Sequence, residues 1–261
     1  MNSVATPGIG LAALCVVLVA AATAVYWGAD LGSITVAPGA ALRAVAQLSV
    51  VALVLAAALA HLWSSLLVLL VMFIAATLTA AGRAGAGVSG GWLTLAVGAG
   101  MAAVLPAMLV SGVVPMTGVA VVPVGGIILG GTMTATSLAA RRSLDALTQR
   151  RGEVEAALSL GLTDRDARLE MIRSTAADAL LPGVDQTRTV GLVTLPGAFV
   201  GVLVASGSAA QAAAVQILVL LGLMLAQACA VAVTTELVAR GRVWRSGVIS
   251  GARRRAGCGS R

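Results

Sequence analysis

The chain has 261 residues, 59% of them apolar and 10% charged, with a net charge of +7. So apolar a composition excludes a soluble domain with a single anchor, because the apolar stretches lie too close together to leave a separate globular core. All 17 basic residues are arginine, and no nucleic-acid recognition fold accompanies them, so the charge is read as setting membrane topology and meeting anionic lipid.

Seven apolar stretches follow in chain order, near residues 9–27, 42–60, 62–81, 92–112, 119–139, 189–207 and 213–237. Each suits the roughly 20 residues that cross a bilayer as a helix. The expectation is an all-α, polytopic integral membrane protein of about seven transmembrane helices, multi-pass in the cell membrane. Residues 1–8 carry no basic side chain, so no cleavable signal is expected and the first span is retained. With the N-terminus outside and the C-terminus inside, Arg43, Arg83, the segment Arg141–Arg188 and the tail Arg240–Arg261 all fall inside. The outer loops, near His61, Pro115 and Ser206–Gln211, then carry no basic residue, as the positive-inside rule requires. Trp27, Trp63, Trp92 and Trp244 lie at span ends, where an aromatic belt belongs.

The organisation reads as five transmembrane helices in 1–140 and a cytoplasmic helix-turn-helix in 141–188. Two more transmembrane helices follow in 189–238, then a basic cytoplasmic tail in 239–261. In span two, Arg43 and Gln47 stand one helical turn apart. Span five carries Pro123, which frees a carbonyl, and the small-xxx-small pair Gly126 and Gly130, which lets helices approach closely. Span six carries Leu195-Pro196-Gly197 in its middle. Two Pro/Gly-broken helices flanking the inner segment suggest a pathway or hinge, with Gln47, Thr194, Gln216 and Gln227 as polar candidates along it.

The inner segment holds eight of the ten acidic residues, between Asp145 and Asp185. Leu144, Leu147, Val154 and Leu158 form a broken apolar stripe. Gly161 suits a helix C-cap with positive φ. Thr163 and Asp166 resemble a capping box that restarts a helix, which is expected to run to about Leu181 and to end at Pro182. Such a surface, charged with a narrow apolar ridge, is built to dock a partner.

Two patterns lead nowhere. Gly87-Val88-Ser89-Gly90 matches a rhomboid-type G-x-S-G, but the only histidine, His61, lies at the opposite membrane surface and cannot take a proton from Ser89. Cys15, Cys229 and Cys258 have no metal-ligand spacing. No metal ligand set is recognised, and Met101, Met108, Met116 and Met133 are read as packing residues.

Glu155-Ala156-Ala157-Leu158-Ser159-Leu160-Gly161 resembles the E-A-A-x-x-x-G coupling loop of ABC transporter permeases. The run through Ala179-Leu180-Leu181-Pro182-Gly183-Val184-Asp185 and Thr189–Gly197 extends the likeness. With it go Arg43-x-x-x-Gln47-Leu48, Val122-Pro123 and Gln216-Ile217. Together they are similar to the FetB family of iron-export permeases, also known as the uncharacterised family UPF0014. The resemblance implies ATPase coupling through Glu155, Ala156, Ala157 and Gly161, a permease homodimer and a separate ABC ATPase subunit. It also implies export of a metal ion, iron in the bacterial members. The chain departs from the family after Leu195-Pro196-Gly197, where Ala198 and Phe199 stand in place of methionines.

One inference needs no family. The chain contains no lysine. A Walker A loop needs lysine to reach the nucleotide phosphates, so ATP–Mg is expected on a partner subunit and no cofactor on this chain. The rival readings are a secondary transporter or channel without an ATPase, and a membrane scaffold.

Overall fold

The computed structural model describes residues 8–30, 32–58 and 61–245, and all of its regular structure is helical. The tail residues Arg253–Arg255 and Cys258 lie outside the described residues. The chain divides into two compact units, residues 1–60 and 61–261.

The first unit is a helical hairpin of α1 (Ile9–Gly28) and α2 (Val36–Ala58). The second span therefore starts at Val36, six residues before the apolar run suggested, because Val36-Ala37-Pro38 begins a helix that Pro38 tolerates in its first turn. Neither α1 nor the Val36–Leu53 window of α2 buries any residue within the structure. Helices this apolar and this exposed need lipid or protein around them.

The second unit runs α3 (Leu62–Ala84), α4 (Leu93–Val110), α5 (Gly118–Gln149), α6 (Arg151–Ser159), α7 (Asp164–Ala177), α8 (Leu181–Thr189), α9 (Gly197–Ser206) and α10 (Ala209–Ala239). A 3₁₀ turn, Gly87–Trp92, leads into α4, and a second, Asp178–Leu180, joins α7 to α8. Across the described residues, six helices have the length and composition to cross a membrane: α1, α2, α3, α4 with its preceding turn, α5 and α10. The protein is an all-α, polytopic membrane protein.

The core forms around α5, and glycine decides how closely its neighbours come. A Cβ on Gly125 would lie 2.7 Å from a Leu69 methyl on α3, and one on Gly131 would lie 2.3 Å from a Leu223 methyl on α10. On α4, a Cβ on Gly100 would meet the Ala226 carbonyl of α10 at 2.6 Å. The expected Gly126/Gly130 pair is not the packing edge: Gly126 sees only the Met72 terminus at 3.0 Å and Gly130 faces open space. The register of the close contacts is one residue off the pair chosen from spacing alone. Met101, Met108 and Met133 pack in or against the core as expected, whereas Met116 is exposed.

Pro123 does not break α5, which is helical from Gly118 through Gln149. It sits in the second turn, where the N–H it lacks would have reached Val119, so only one bond near the helix start is lost. The same helix runs on past Arg141, so the inner segment begins as an extension of a membrane helix rather than as a separate piece.

Candidate functional site: the inner segment and the broken crossing

The inner segment turns where its glycine allows. Gly161 has φ +92°, in the left-handed region, and α6 ends just before it. Thr163 caps α7: its hydroxyl accepts from the Asp166 N–H and donates to the Asp166 carboxylate at 2.7 Å. Both features stand as expected. Pro182 does not. It occupies the first turn of α8, so it starts a helix instead of ending one.

On α6, Glu155, Ala156 and Gly161 are exposed and Ala157 is half-buried. Leu160 is 82% exposed, and Leu158 and Leu162 stand beside it in partial exposure. Three leucines uncovered around a charged turn are an unpartnered apolar ridge. Arg151 donates to Glu155 at 3.0 Å. Arg150 donates to Glu153 at 2.9 Å and holds that carboxyl below the usual carboxylate range. The rest of the stripe is divided: Leu144 is core and Leu147 packs against it, so only its far end is exposed.

Behind this turn α7 is locked to α10. Arg165 grips Glu236 through two bonds, Nε to Oε1 at 2.7 Å and Nη2 to Oε2 at 2.8 Å, and also holds Asp166 at 2.8 Å. Arg240 donates to the same Glu236 at 2.6 Å. A two-pronged guanidinium–carboxylate pair fixes orientation as well as distance. In the sequence Glu236 stands as a lone acid at the end of the last apolar stretch. Its i,i+4 spacing to Arg240 was legible, but Arg165, seventy-one positions away, was not.

The crossing before α10 is the irregular one. The ends of α5 and α10 lie together, joined by Arg245 to Asp145 at 2.8 Å, so α5 and α10 run the same way. The chain between them must return across the thickness of the membrane. It does so in pieces. Ala176 and Ala179 pack with Ala135, Ala139 and Val231. Gly183 then meets Gln227, where a Cβ would sit 2.0 Å from the amide oxygen. Gln227 lies roughly three helical turns, ~18 Å, inside the end of α10. Residues 190–196 are non-helical, closed by a bridge between Val190 and Thr194 in which the Gly191 N–H donates to the Thr194 carbonyl at 2.9 Å. α9 follows for only 10 residues. That is about 15 Å of helix, half a bilayer core.

So the sixth predicted span exists as a broken crossing, and Pro196 caps α9 instead of kinking a continuous helix. Thr194 and Gly197 are exposed and Pro196 is half-buried at this break. Gln216 on α10 is 5% exposed, and among the described residues its amide oxygen has no hydrogen-bond partner. Folding back through the Gly207 turn puts the start of α9 at about the depth of Gln216. Arg43 and Gln47 lie exposed on α2, in the other unit. Among the described residues, no three His, Cys, Asp or Glu side chains come together as a metal site.

Ser89, of the rhomboid-like tetrad, is buried and bonded to backbone at Ala86 and Trp244. His61 and Ser89 stand at opposite ends of α3, and the histidine precedes that helix with its carbonyl taken by Ser64 and Ser65. The tetrad is structural.

No solved structure matches this chain. A UPF0014 membrane protein of Synechocystis is 35% identical over 205 residues, covering 76% of this chain and 79% of its own. UPF0014 membrane protein STAR2 of Oryza sativa is 35% identical over 126 residues, 48% of this chain and 44% of its own. "Probable iron export permease protein FetB" of Escherichia coli is 33% identical over 128 residues, 49% of each chain. The matched stretch thus spans about half the length of STAR2 and FetB. Residues 10–242 match the family described as Uncharacterised protein family (UPF0014), and the chain belongs to that family of membrane proteins.

Proposed function

We propose that this chain is the membrane-spanning permease subunit of a two-component ABC exporter, working as a homodimer with two copies of a separate ATPase. The observation that carries this reading is the uncovered leucine ridge at Leu158, Leu160 and Leu162, on and just after the coupling-loop sequence Glu155–Gly161. A helix of small residues ending in a glycine reversal fits a groove on a partner, and the exposed leucines supply its apolar contact. Export of a metal ion, iron in particular, follows the name of the Escherichia coli relative. The N-outside orientation rests on the arginine distribution.

The mechanism runs through α7. ATP-driven closure of the ATPase pair pushes on the α6–Gly161 turn. Arg165 and Glu236 pass that motion to α10, against which α9 folds back. The access switch then lies at the non-helical stretch 190–196 and Pro196, since irregular backbone inside a membrane persists only where protein or a water-filled cavity surrounds it. Thr194, Gly197 and Gln216 line that switch. Arg43, Gln47 and Pro123 remain pathway candidates on sequence grounds.

The test is ATP hydrolysis and metal efflux measured together on the reconstituted pair. Iron should stimulate hydrolysis, and Gly161→Pro, which cannot adopt positive φ, should abolish that stimulation. A Gly161→Pro protein that still couples hydrolysis to export contradicts the reading.

A further inference from the structure

Away from the α6 turn, the same end of the second unit carries a small built rim. The 3₁₀ turn Gly87–Trp92 is pressed onto α3, since a Cβ on Gly90 would come within 2.4 Å of the Ala81 Cβ. Ser89 clamps it to the end of the described chain: its hydroxyl accepts from the Trp244 N–H at 3.0 Å and lies 2.8 Å from the Trp244 carbonyl. Beneath lie Ala84, Ala86, Leu93 and Val243 in one core cluster. The rim is therefore held, not trailing.

What this rim presents is mixed in a particular way. Val88 at its tip is 99% exposed, and the indoles of Trp92 and Trp244 are each about two-fifths exposed. Arg242 stacks over the Trp92 ring at 4.9 Å. Arg83 stands exposed in the last turn of α3. Among the described residues neither Arg83 nor Arg242 forms an ion pair. Arg245, beside Gly85, is neutralised by Asp145. Two guanidinium groups thus remain uncompensated next to two interfacial indoles and an uncovered valine.

We propose that this rim binds the headgroup phosphate of an anionic phospholipid. Stacking occupies the face of the Arg242 guanidinium and leaves its N–H edge free, in the fork that suits a phosphate. Arg83 supplies the second cation. Val88, Trp92 and Trp244 reach the acyl boundary, where indole is favoured and a bare valine ceases to cost. A phospholipid meets both halves of this surface at once, its phosphate the arginines and its acyl boundary Val88 and the indoles. The proposal needs only that the chain is a membrane protein, and stands whether or not it transports a metal.

The test is lipid retention by the full-length protein, followed by native mass spectrometry from mixed micelles of phosphatidylglycerol and phosphatidylcholine. The wild type should retain phosphatidylglycerol selectively. Arg83→Gln with Arg242→Gln should weaken that retention roughly 25-fold, about fivefold per arginine near the surface. Arg83→Lys with Arg242→Lys should recover part of it, which separates lost charge from misfolding. Arg253→Gln, Arg254→Gln and Arg255→Gln together should leave it within about twofold, since the proposal gives those residues no part in the binding. The proposal is overturned if the double glutamine variant keeps wild-type selectivity, or if the tail variant alone loses it. It is likewise overturned if millimolar inorganic phosphate displaces the lipid, which would make the rim a free-anion site.

Discussion

α10 and the crossing that precedes it differ: one is a single apolar helix of 31 residues, and the other is two short helices, a polar α8 and an apolar α9, around a non-helical bridge. α10 buries a full stripe from Ala212 to Ala239, and its neighbours approach through glycine. α9 buries nothing, and Leu192, Val193 and Leu195 before it are widely exposed. The difference is local chemistry. Ala209–Ala239 contains no proline, and its one glycine, Gly222, is used for packing: a Cβ there would meet Met108 at 2.3 Å. Val190–Gly197 combines a positive-φ Gly191 just past the end of α8 with Pro196 at the N-cap of α9, so no single helix runs through. Rigid and interruptible elements therefore stand side by side, with the Arg165–Glu236 grip on the rigid one.

The largest effect should come from crowding the rigid side. Gly100→Val must push against the Ala226 carbonyl, which is backbone and cannot step aside. It should cost about 1–3 kcal/mol and lower the unfolding midpoint in detergent; an unchanged midpoint would mean that α4 and α10 are not so closely packed. Gly197→Ala and Gly201→Ala, in open space on α9, should shift stability by no more than about 0.5 kcal/mol.

Next is the grip itself. Glu236→Gln removes a partly exposed pair worth at most about 1 kcal/mol, so folding should persist while metal-stimulated efflux falls. Efflux and hydrolysis both at wild-type rates would show that α7 does not drive α10.

A gentler probe reads water at the break. Thr194→Cys, in a background with the native cysteines replaced by serine, should react with a charged thiol reagent within about tenfold of Gly161→Cys. Ile217→Cys, exposed on α10 at a comparable depth, should react at least about a hundredfold more slowly, as a lipid-facing thiol does. Equal rates at Thr194 and Ile217 would remove the distinction between the two crossings.

Much of this arrangement was legible before any coordinates. Apolar runs of bilayer length located the membrane helices, and Gly161 and Thr163 marked the turn and cap that the structure contains. What stayed hidden was whatever depends on two distant segments meeting. Gly131 and Gly183 close around Gln227, and Ser89 meets Trp244, because of helix register and chain return, neither of which leaves a periodic trace. Pro182 was misread for a related reason: proline stops a helix from within but begins one from its first turn, and spacing alone does not say which.

The most direct test of the account is purification of the tagged chain from native membranes in mild detergent, beside a Leu160→Asp variant. The wild type should carry an ATPase with a G-x-x-x-x-G-K-[ST] loop at about equal abundance, and Leu160→Asp should lose it while remaining folded. Absence of any such ATPase from the intact wild-type protein, or its full retention by Leu160→Asp, would contradict the assignment of the α6 turn as the docking surface.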